Sequence, residues 1–542
     1  MSVVLPRPER IVPRSAGFQL GPSTRILAAE QWWPAAVRLQ EWLRAPTGFV
    51  LPISAPDDAT PSIRFRGDEQ LAEEAYRIEV DPAGVNITAG GLRGALWAAQ
   101  VLRQLLPPRS YRQAATAGTW IMPGVRIEDA PRFSWRGAML DVARHFWTPA
   151  EVRRFIDLMA IHRLNVLHLH LTDDQGWRLE IKRYPRLTEM GSWRSASQVG
   201  ADADRLDDRP HGGYYTHDDI RELVSYAAAR GIDIVPEIDL PGHVRAVLAA
   251  YPELGVTDHE VTVWNQWGIS PYVLNAEERT IEVLGHIFDE VMDLFPSEFI
   301  GVGGDECLKT QWRESSRTQE RMRELGLADE EELQSWFIRR LADHLAGRNR
   351  RVYGWDEILE GGAPAGAVVA SWRGMAGAVA AARAGHDVVA CPDNQVYLDY
   401  RQSEDPEEPI PVGLSLGLEE VYAFDPVPPE LTADEAQRVL GGQANIWTEH
   451  IDTARRLDYM AFPRLCAVAE VLWSQAPRDF DDFSERLSIH LQRLAAAGVE
   501  FRPLSGPKPW QQRPGVKGRE WTRAERAAEI AELTANITLD SA

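Results

Sequence analysis

The sequence predicts an α/β protein: a (β/α)8 TIM barrel, preceded by a small α/β N-terminal domain and followed by a short C-terminal extension. Three observations carry the prediction. From about Asp129 onward, short apolar runs alternate with amphipathic helical stretches, the rhythm of a parallel sheet with crossover helices. There are eight such runs: Gly137–Val142, Asn165–Thr172, Ile232–Ile238, Phe299–Gly303, Arg351–Trp355, Ala367–Trp372, Asp387–Ala390 and Gln443–Trp447. No Gly-rich dinucleotide turn follows the first run, which disfavours the open, doubly wound alternative.

Each segment has its own signal. Residues 1–128 read as the N-terminal domain. Within it Ala75–Val80 alternates as a strand, Asp81-Pro82-Ala83-Gly84 turns, and Val85–Thr88 returns as the second strand of a hairpin. Gly91–Leu106 carries Leu92, Leu96, Ala99, Leu102, Leu105 and Leu106 at helical spacing, and Pro107-Pro108 stops that helix. The barrel is assigned to 129–503, with crossover helices such as Pro149–Leu164, His217–Arg230 and Glu331–Arg348. Gly200–Gly213 is polar and rich in Gly and Asp, and Gln402–Pro411 is acidic with three prolines; both read as loops. The extension, 504–542, holds Pro507, Pro509 and Pro514, then a helical pattern from Thr522 to Leu533 that either docks on the barrel or trails from it.

Composition narrows the functional classes. With 44% hydrophobic and 25% charged residues, the 542-residue chain is globular, and wholesale disorder or fibre is excluded. No run reaches the ~18 apolar residues of a membrane span, and the start has no stretch of signal-peptide length, so a cytoplasmic protein without a membrane partner is expected. Lys and Arg number 58 against 80 Asp and Glu, and the resulting −22 argues against a nucleic-acid partner. Cys307, Cys391 and Cys466 make neither a disulfide framework nor a zinc spacing. Tryptophan is abundant, 19 residues, and indole faces suit the apolar faces of sugar rings.

In this barrel class the chemistry sits where strands end. Those positions hold Asp141 to Phe146, Thr172 to Trp177, Glu237 to His243, Gly303-Gly304-Asp305-Glu306, Gly354 to Glu357, Ser371-Trp372-Arg373, Tyr397-Leu398-Asp399 and Trp447-Thr448-Glu449. Carboxylates and tryptophans dominate, a mixture that suits a neutral polyhydroxylated ligand. Each piece has a bland explanation. Asp305-Glu306 is what a helix N-cap and first-turn acid look like; Asp239 and His243 fit a strand-end cap and a core histidine. Single tryptophans are mostly core, and Arg144 alone is an ion-pair residue. Their coincidence at nearly every strand end is not what independent bland causes would produce.

Two other chemistries compete. His168 and His170 share one side of a strand and could begin a metal site, but strands five and six supply no further histidine, and period-two alternation explains the pair. Gly413-Leu414-Ser415-Leu416-Gly417 matches the serine nucleophile elbow, yet Glu407-Glu408-Pro409-Ile410-Pro411 before it is a poor strand.

The stretches Arg136–Phe146, Leu167–Trp177, Pro236–His243, Gly303–Glu306, Tyr397–Asp399 and Trp447–Glu449, in that order, resemble the family 20 glycoside hydrolases, the β-N-acetylhexosaminidases. The resemblance implies exo-acting, retaining hydrolysis of terminal β-linked N-acetylglucosamine or N-acetylgalactosamine, with the substrate's own 2-acetamido oxygen as nucleophile and no metal or organic cofactor. It implies Glu306 as general acid and base, Asp305 as the acceptor of the acetamido N–H, and Tyr397 as donor to the acetamido oxygen. Trp355, Trp372 and Trp447 then wall the acetamido methyl, while Arg144, Asp399 and Glu449 bind the ring hydroxyls. Asp173 and His243, with Asp239 nearby, form a supporting layer linked to Glu306. Two adjacent carboxylates raise the proton affinity of one of the pair, expected to be the acid. The partner implied is a small oligosaccharide or glycoconjugate. The alternatives are a disaccharide-releasing member of the family and a non-catalytic sugar-binding barrel. One departure stands out: some members have Gly-Leu-Ser-Trp where this chain reads Gly413-Leu414-Ser415-Leu416, which bears on outer-subsite binding.

Overall fold

The computed structural model of the protein describes residues 3–57, 61–257 and 259–537. The ends of the first and last segments assigned above, 1–2 and 538–542, lie outside the described residues. Eight parallel strands close into a barrel: β1 Trp135–Asp141, β2 Val166–His170, β3 Asp233–Leu240, β4 Phe299–Gly303, β5 Arg351–Trp355, β6 Val368–Ser371, β7 Asp387–Ala390 and β8 Val439–Ile446. Each overlaps one of the eight apolar runs. Closure is made by β1 on β8, with Trp135 opposite Gly441 and Leu140 opposite Ile446. Strands such as β1, β2 and β6 are buried along their whole length, which is why they read as continuous runs and not as alternation.

The crossover helices start where side chains cap them. Thr148 and Glu151 form a reciprocal capping box ahead of Pro149–Ile161, with Pro149 in the first turn. Thr216 and Asp219 do the same for His217–Ala228. The polar stretch after β2 is more regular than a bare loop: Gln198–Val199 pairs with Asp202–Leu206, and Trp193–Arg194 with His211–Gly212.

The N-terminal part holds a mixed seven-stranded sheet ending with Val125–Asp129, covered by the helices Trp33–Thr47 and Leu92–Leu105. The hairpin and the second helix are those expected. The first helix escaped the sequence reading because its ends carry no capping side chain, its last turn contains Pro46, and a third of its buried residues are the small Ala35 and Ala36. This sheet is bolted to the barrel by Trp473, the last residue of the helix Arg464–Trp473, which is fully buried in the N-terminal apolar cluster. Its Nε1–H donates to Asp129 at 3.1 Å, and Arg163 donates to the same carboxylate at 2.7 Å while lying 4.2 Å from the indole centroid.

The C-terminal extension docks. Lys517 O accepts from Ala201 N–H at 2.8 Å, Arg513 pairs with Asp452 at 2.6 Å, and Arg519–Glu520 lies parallel to Val412–Gly413. The helix Arg523–Leu533 follows, with Arg523 in an exposed ion pair with Glu420 that adds little to its docking. Gly413 is therefore a strand partner of the extension and Ser415 lies in the connection beyond it, not on a strand-to-helix elbow. Among the described residues no helix is long and apolar enough to cross a membrane, and the three cysteines are buried and unpaired.

Candidate active site

The turn after β4 explains its sequence. Gly303 has φ +68°, and a Cβ there would fall 1.7 Å from Asp239 Oδ1, so no other residue fits beside that carboxyl. Gly304 follows at φ +97°, then Asp305 and Glu306, the latter itself left-handed at φ +48°. His243, after β3, is left-handed too, at +52°. Such conformations cost about 1–3 kcal/mol each and persist where surrounding contacts dictate them. Here they aim two side chains at each other: His243 Nε2 lies 3.4 Å from Glu306 Oε2 and 3.7 Å from Asp305 Oδ2. Asp305 is buried, whereas a third of the Glu306 side chain is exposed (33%).

Behind His243 runs a buried relay. Its Nδ1 faces Asp173 at 3.2 Å and Asp174 at 3.3 Å. Asp173 also takes Arg144 at 2.8 Å and His170 Nε2 at 2.8 Å. His170 Nδ1 reaches Glu237 at 2.6 Å, and His168 Nε2 reaches the same oxygen at 2.9 Å, with Gln443 at 3.1 Å from its other nitrogen. Burial alone would lower the His170 pKa, but Glu237 and Asp173 push it up to about 10. Burial likewise opposes ionisation of Asp173, yet Arg144, His243 and His170 hold it well below the usual carboxylate range. His243 is raised well above an ordinary imidazole, burial being outweighed by Asp173, Asp174 and Glu306. Asp239 is the exception: burial and the nearby Asp305 push it well up, and neither carboxyl oxygen has a hydrogen-bond partner. Asp305 itself is pushed up to about 6 by burial, with His243 opposing and Glu237 and Glu306 adding to the rise. The rise at Asp305 follows from the turn, which buries its carboxyl.

The histidine pair on β2 belongs to this relay. His170, Asp173 and Asp239 bring ligand atoms within 4.8 Å of one another, as a metal would require. Both nitrogens of His168 and of His170 are already engaged by carboxylate or amide, which leaves neither ring a lone pair for an ion.

Across the strand ends stands an aromatic box. Trp355 and Trp447 lie 5.8 Å apart, Tyr397 is 6.4 Å from Trp447, and Trp372 stacks on Tyr397 at 6.3 Å. Trp355, Trp372 and Tyr397 are buried and Trp447 half-buried. Trp372 Nε1–H donates to Glu357 at 3.0 Å, and Arg373 backs that carboxylate. The relay and the box meet at Arg144, whose guanidinium lies 4.8 Å from the Trp447 centroid, and at His170, 4.9 Å edge-on to the same ring. Asp399 and Glu449 are half-buried at the end of the box. Burial pushes Asp399 well up, with Glu449 adding to it; burial also raises Glu449, opposed by Arg144.

All twelve candidate residues therefore gather in one contiguous cluster at the C-terminal mouth of the barrel, the end where this fold carries its chemistry. Sequence reasoning assigns no role to Glu357, Gln175 or Glu237, although they lie in the strand-end stretches, and weighs His170 only as a metal ligand. Gln175 bonds Arg144 Nε at 3.1 Å. Their signal was present, since each stands at or beside a strand end, but a polar residue there is common. Leu416, the departure noted above, is fully buried and packs in the core.

Comparison with known proteins agrees with this geometry. Residues 133–476 match the model of the glycosyl hydrolase family 20 catalytic domain, and 1–130 match domain 2 of the same family. A β-hexosaminidase of Porphyromonas gingivalis is 40% identical over 505 residues, covering 92% of this chain and 64% of that protein, so the chain spans about two thirds of that relative's length. The family 20 β-N-acetylhexosaminidase of Streptomyces coelicolor superposes with a TM-score of 0.81 at 32% identity, covering 93% of this chain and 98% of that one. An exo β-N-acetylglucosaminidase of Vibrio harveyi in complex with N-acetylglucosamine gives 0.82 at 35% identity, covering 92% and 78%. With the catalytic-domain match spanning the whole barrel mouth and every strand end described above, the chain is a glycoside hydrolase that belongs to glycosyl hydrolase family 20.

Proposed function

We propose that the protein removes terminal β-linked N-acetylglucosamine or N-acetylgalactosamine from the non-reducing end of small glycans, with retention, through the substrate's own acetamido group. The observation that carries this is the position of the two carboxylates. Asp305 and Glu306 sit on one turn beside His243, so they do not flank a glycosidic bond from opposite faces as a protein nucleophile and acid do. A neighbouring group on the sugar is then the natural nucleophile. Glu306, the more exposed of the pair, donates a proton to the leaving oxygen. The acetamido carbonyl oxygen attacks the anomeric carbon as the bond to the leaving group breaks, giving an oxazolinium. Asp305 accepts the acetamido N–H and balances the charge that develops. Glu306, now ionised, takes a proton from water as it opens the oxazolinium on the face the leaving group vacated. Tyr397 donates to the acetamido oxygen and holds it for attack, and Trp355, Trp372 and Trp447 enclose the methyl. Arg144, Asp399 and Glu449 receive the ring hydroxyls. The relatives named for β-N-acetylhexosaminidase activity support the substrate class.

The test is release of nitrophenol from the β-N-acetylglucosaminide, the β-N-acetylgalactosaminide and the plain β-glucoside, by the wild type and by Glu306→Gln. Turnover of the acetamido sugars alone, reduced about 10²–10⁴-fold in the variant, is expected. Comparable cleavage of the plain glucoside would overturn the neighbouring-group mechanism.

A further inference from the structure

The helix Arg523–Leu533 buries a single side chain, and it is an arginine. None of its apolar residues is buried, so core packing does not explain why it docks. What it delivers is Arg526, 4% exposed, whose Nε–H donates to Asp393 at 2.5 Å. The same carboxylate oxygen accepts from the Tyr400 hydroxyl at 3.0 Å, and the Tyr400 ring lies 5.7 Å from that of Tyr397. Asp393 N–H in turn donates to the Trp372 carbonyl at 2.9 Å, and the Arg526 guanidinium lies 5.7 Å from the Trp372 centroid. The far end of the helix is linked to the indole N–H of Trp372 through Arg373 and Glu357. Leu533 O, one of the carbonyls a helix end leaves without an internal partner, accepts from Arg373 at 2.8 Å. Arg373 stands 3.6 Å from Glu357, the acceptor of the Trp372 indole N–H.

We propose that Arg526 is a positioning residue for the acetamido pocket, and that the C-terminal extension completes the active site by bracing Tyr397 and Trp372 from behind. The proposal rests on the reading that these two rings confine the acetamido group. The physical reason is geometric. A buried carboxylate deprived of the cation it pairs with protonates or draws in water, and either response loosens Tyr400. Tyr400 is what Tyr397 leans on. The acetamido oxygen must meet the anomeric carbon in a near-attack geometry, so a small shift of Tyr397 lowers turnover more than ground-state binding.

The experiment compares Arg526→Met, Arg526→Lys, Asp393→Asn, Tyr397→Phe and Arg523→Ala, all first checked for native thermal unfolding. It measures kcat and KM on the nitrophenyl N-acetylglucosaminide, and inhibition by a thiazoline analogue of the oxazolinium. A misplacement of 1 Å costs about 10²-fold, so a partial shift in Arg526→Met should lower kcat about 10-fold, weaken the thiazoline by a similar factor, and leave KM within about twofold. Arg526→Lys should recover most of the loss, Asp393→Asn should reproduce it, and Arg523→Ala, on the exposed side of the same helix, should match the wild type. Wild-type kcat in folded Arg526→Met, or in Asp393→Asn should the first fail to fold, refutes the proposal while an impaired Tyr397→Phe leaves the pocket reading standing. An equal loss in Arg523→Ala also refutes it, because docking of the whole extension and not Arg526 would then be responsible. Wild-type turnover in Tyr397→Phe removes the pocket reading itself, and this inference with it.

Discussion

Replacing Asp305 by Asn removes a carboxylate that the fold holds at a disadvantage, and it should trade turnover for stability. Asp305 is 7% exposed, its Oδ1 has no hydrogen-bond partner, and its nearest cation, His243, is 3.7 Å away. Its pKa rises from an ordinary 3.8 to about 6 because burial penalises the charge. In the native protein the proton is therefore kept through an interval in which the unfolded chain has already released it. Stability contributed by this group falls as pH rises from about 4 to about 6 and stays low above that. At about 1.36 kcal/mol per pH unit the deficit is about 3 kcal/mol at neutral pH, and it vanishes below about pH 4, where both states are protonated. Asn has no proton to hold. Asp305→Asn should then gain nothing near pH 4 and about 3 kcal/mol near pH 7. With an unfolding entropy of about 2.1 cal/mol/K per residue over 542 residues, that is about 3 °C in Tm. Scanning calorimetry of both proteins at about pH 4, 5, 6 and 7 reads the difference directly. Turnover in the variant should drop about 10²-fold, the scale set by loss of one preorganised charge-stabilising group. A Tm equal to or below the wild type at neutral pH refutes the reasoning, as does an advantage that fails to shrink on acidification.

Three further outcomes follow from the geometry. Glu237→Gln removes the anion that does most to raise His170, so the alkaline limb of the kcat profile should move to lower pH with KM little changed; an unmoved profile would detach the inner relay from the reaction. Trp372→Ala opens one wall of the aromatic box and should lower kcat/KM on the N-acetylglucosaminide by roughly 10- to 100-fold, measured by initial rates against the plain glucoside. Trp473→Ala, remote from the site, should cost about 3–5 kcal/mol and split the calorimetric transition into separate N-terminal and barrel steps, with turnover per folded molecule unchanged.

Much of the molecule is legible in its sequence because the legible parts are local. Each barrel strand announces itself as an apolar run, since burial on both faces leaves no polar alternation to confuse the reading. Thr148 and Thr216 mark helix starts through contacts three residues away. The Gly-Gly before Asp305 flags a turn that tolerates no side chain. The candidate site was found for the same reason: its residues fall at strand ends, and strand ends converge in this fold. What escaped depends on distant contacts. Glu237 reads as one more acid on a strand until the barrel sets His168 and His170 against it. Arg526, in a helix of ordinary surface composition, carries no mark that it will meet Asp393, 133 positions earlier. The raised proton affinity of Asp305 rests on burial, which adjacency in sequence does not reveal.

The route of the C-terminal segment has a consequence for the order in which a working enzyme comes into being. Synthesis from the N-terminus delivers every strand-end motif by Glu449, and β8 can close the barrel on β1 as soon as Ile446 is available. Residues 513–533, which tie the connection after β2 to those after β7 and β8 and press on the back of the aromatic box, are made later than all of these. On the proposal that Arg526 braces the pocket, a nascent chain, or one clipped by a protease among Pro507, Pro509 and Pro514, would carry the complete set of motifs and a slack pocket. If Arg526 braces the pocket as proposed, the site matures only once the helix Arg523–Leu533 has followed the residues that perform the reaction.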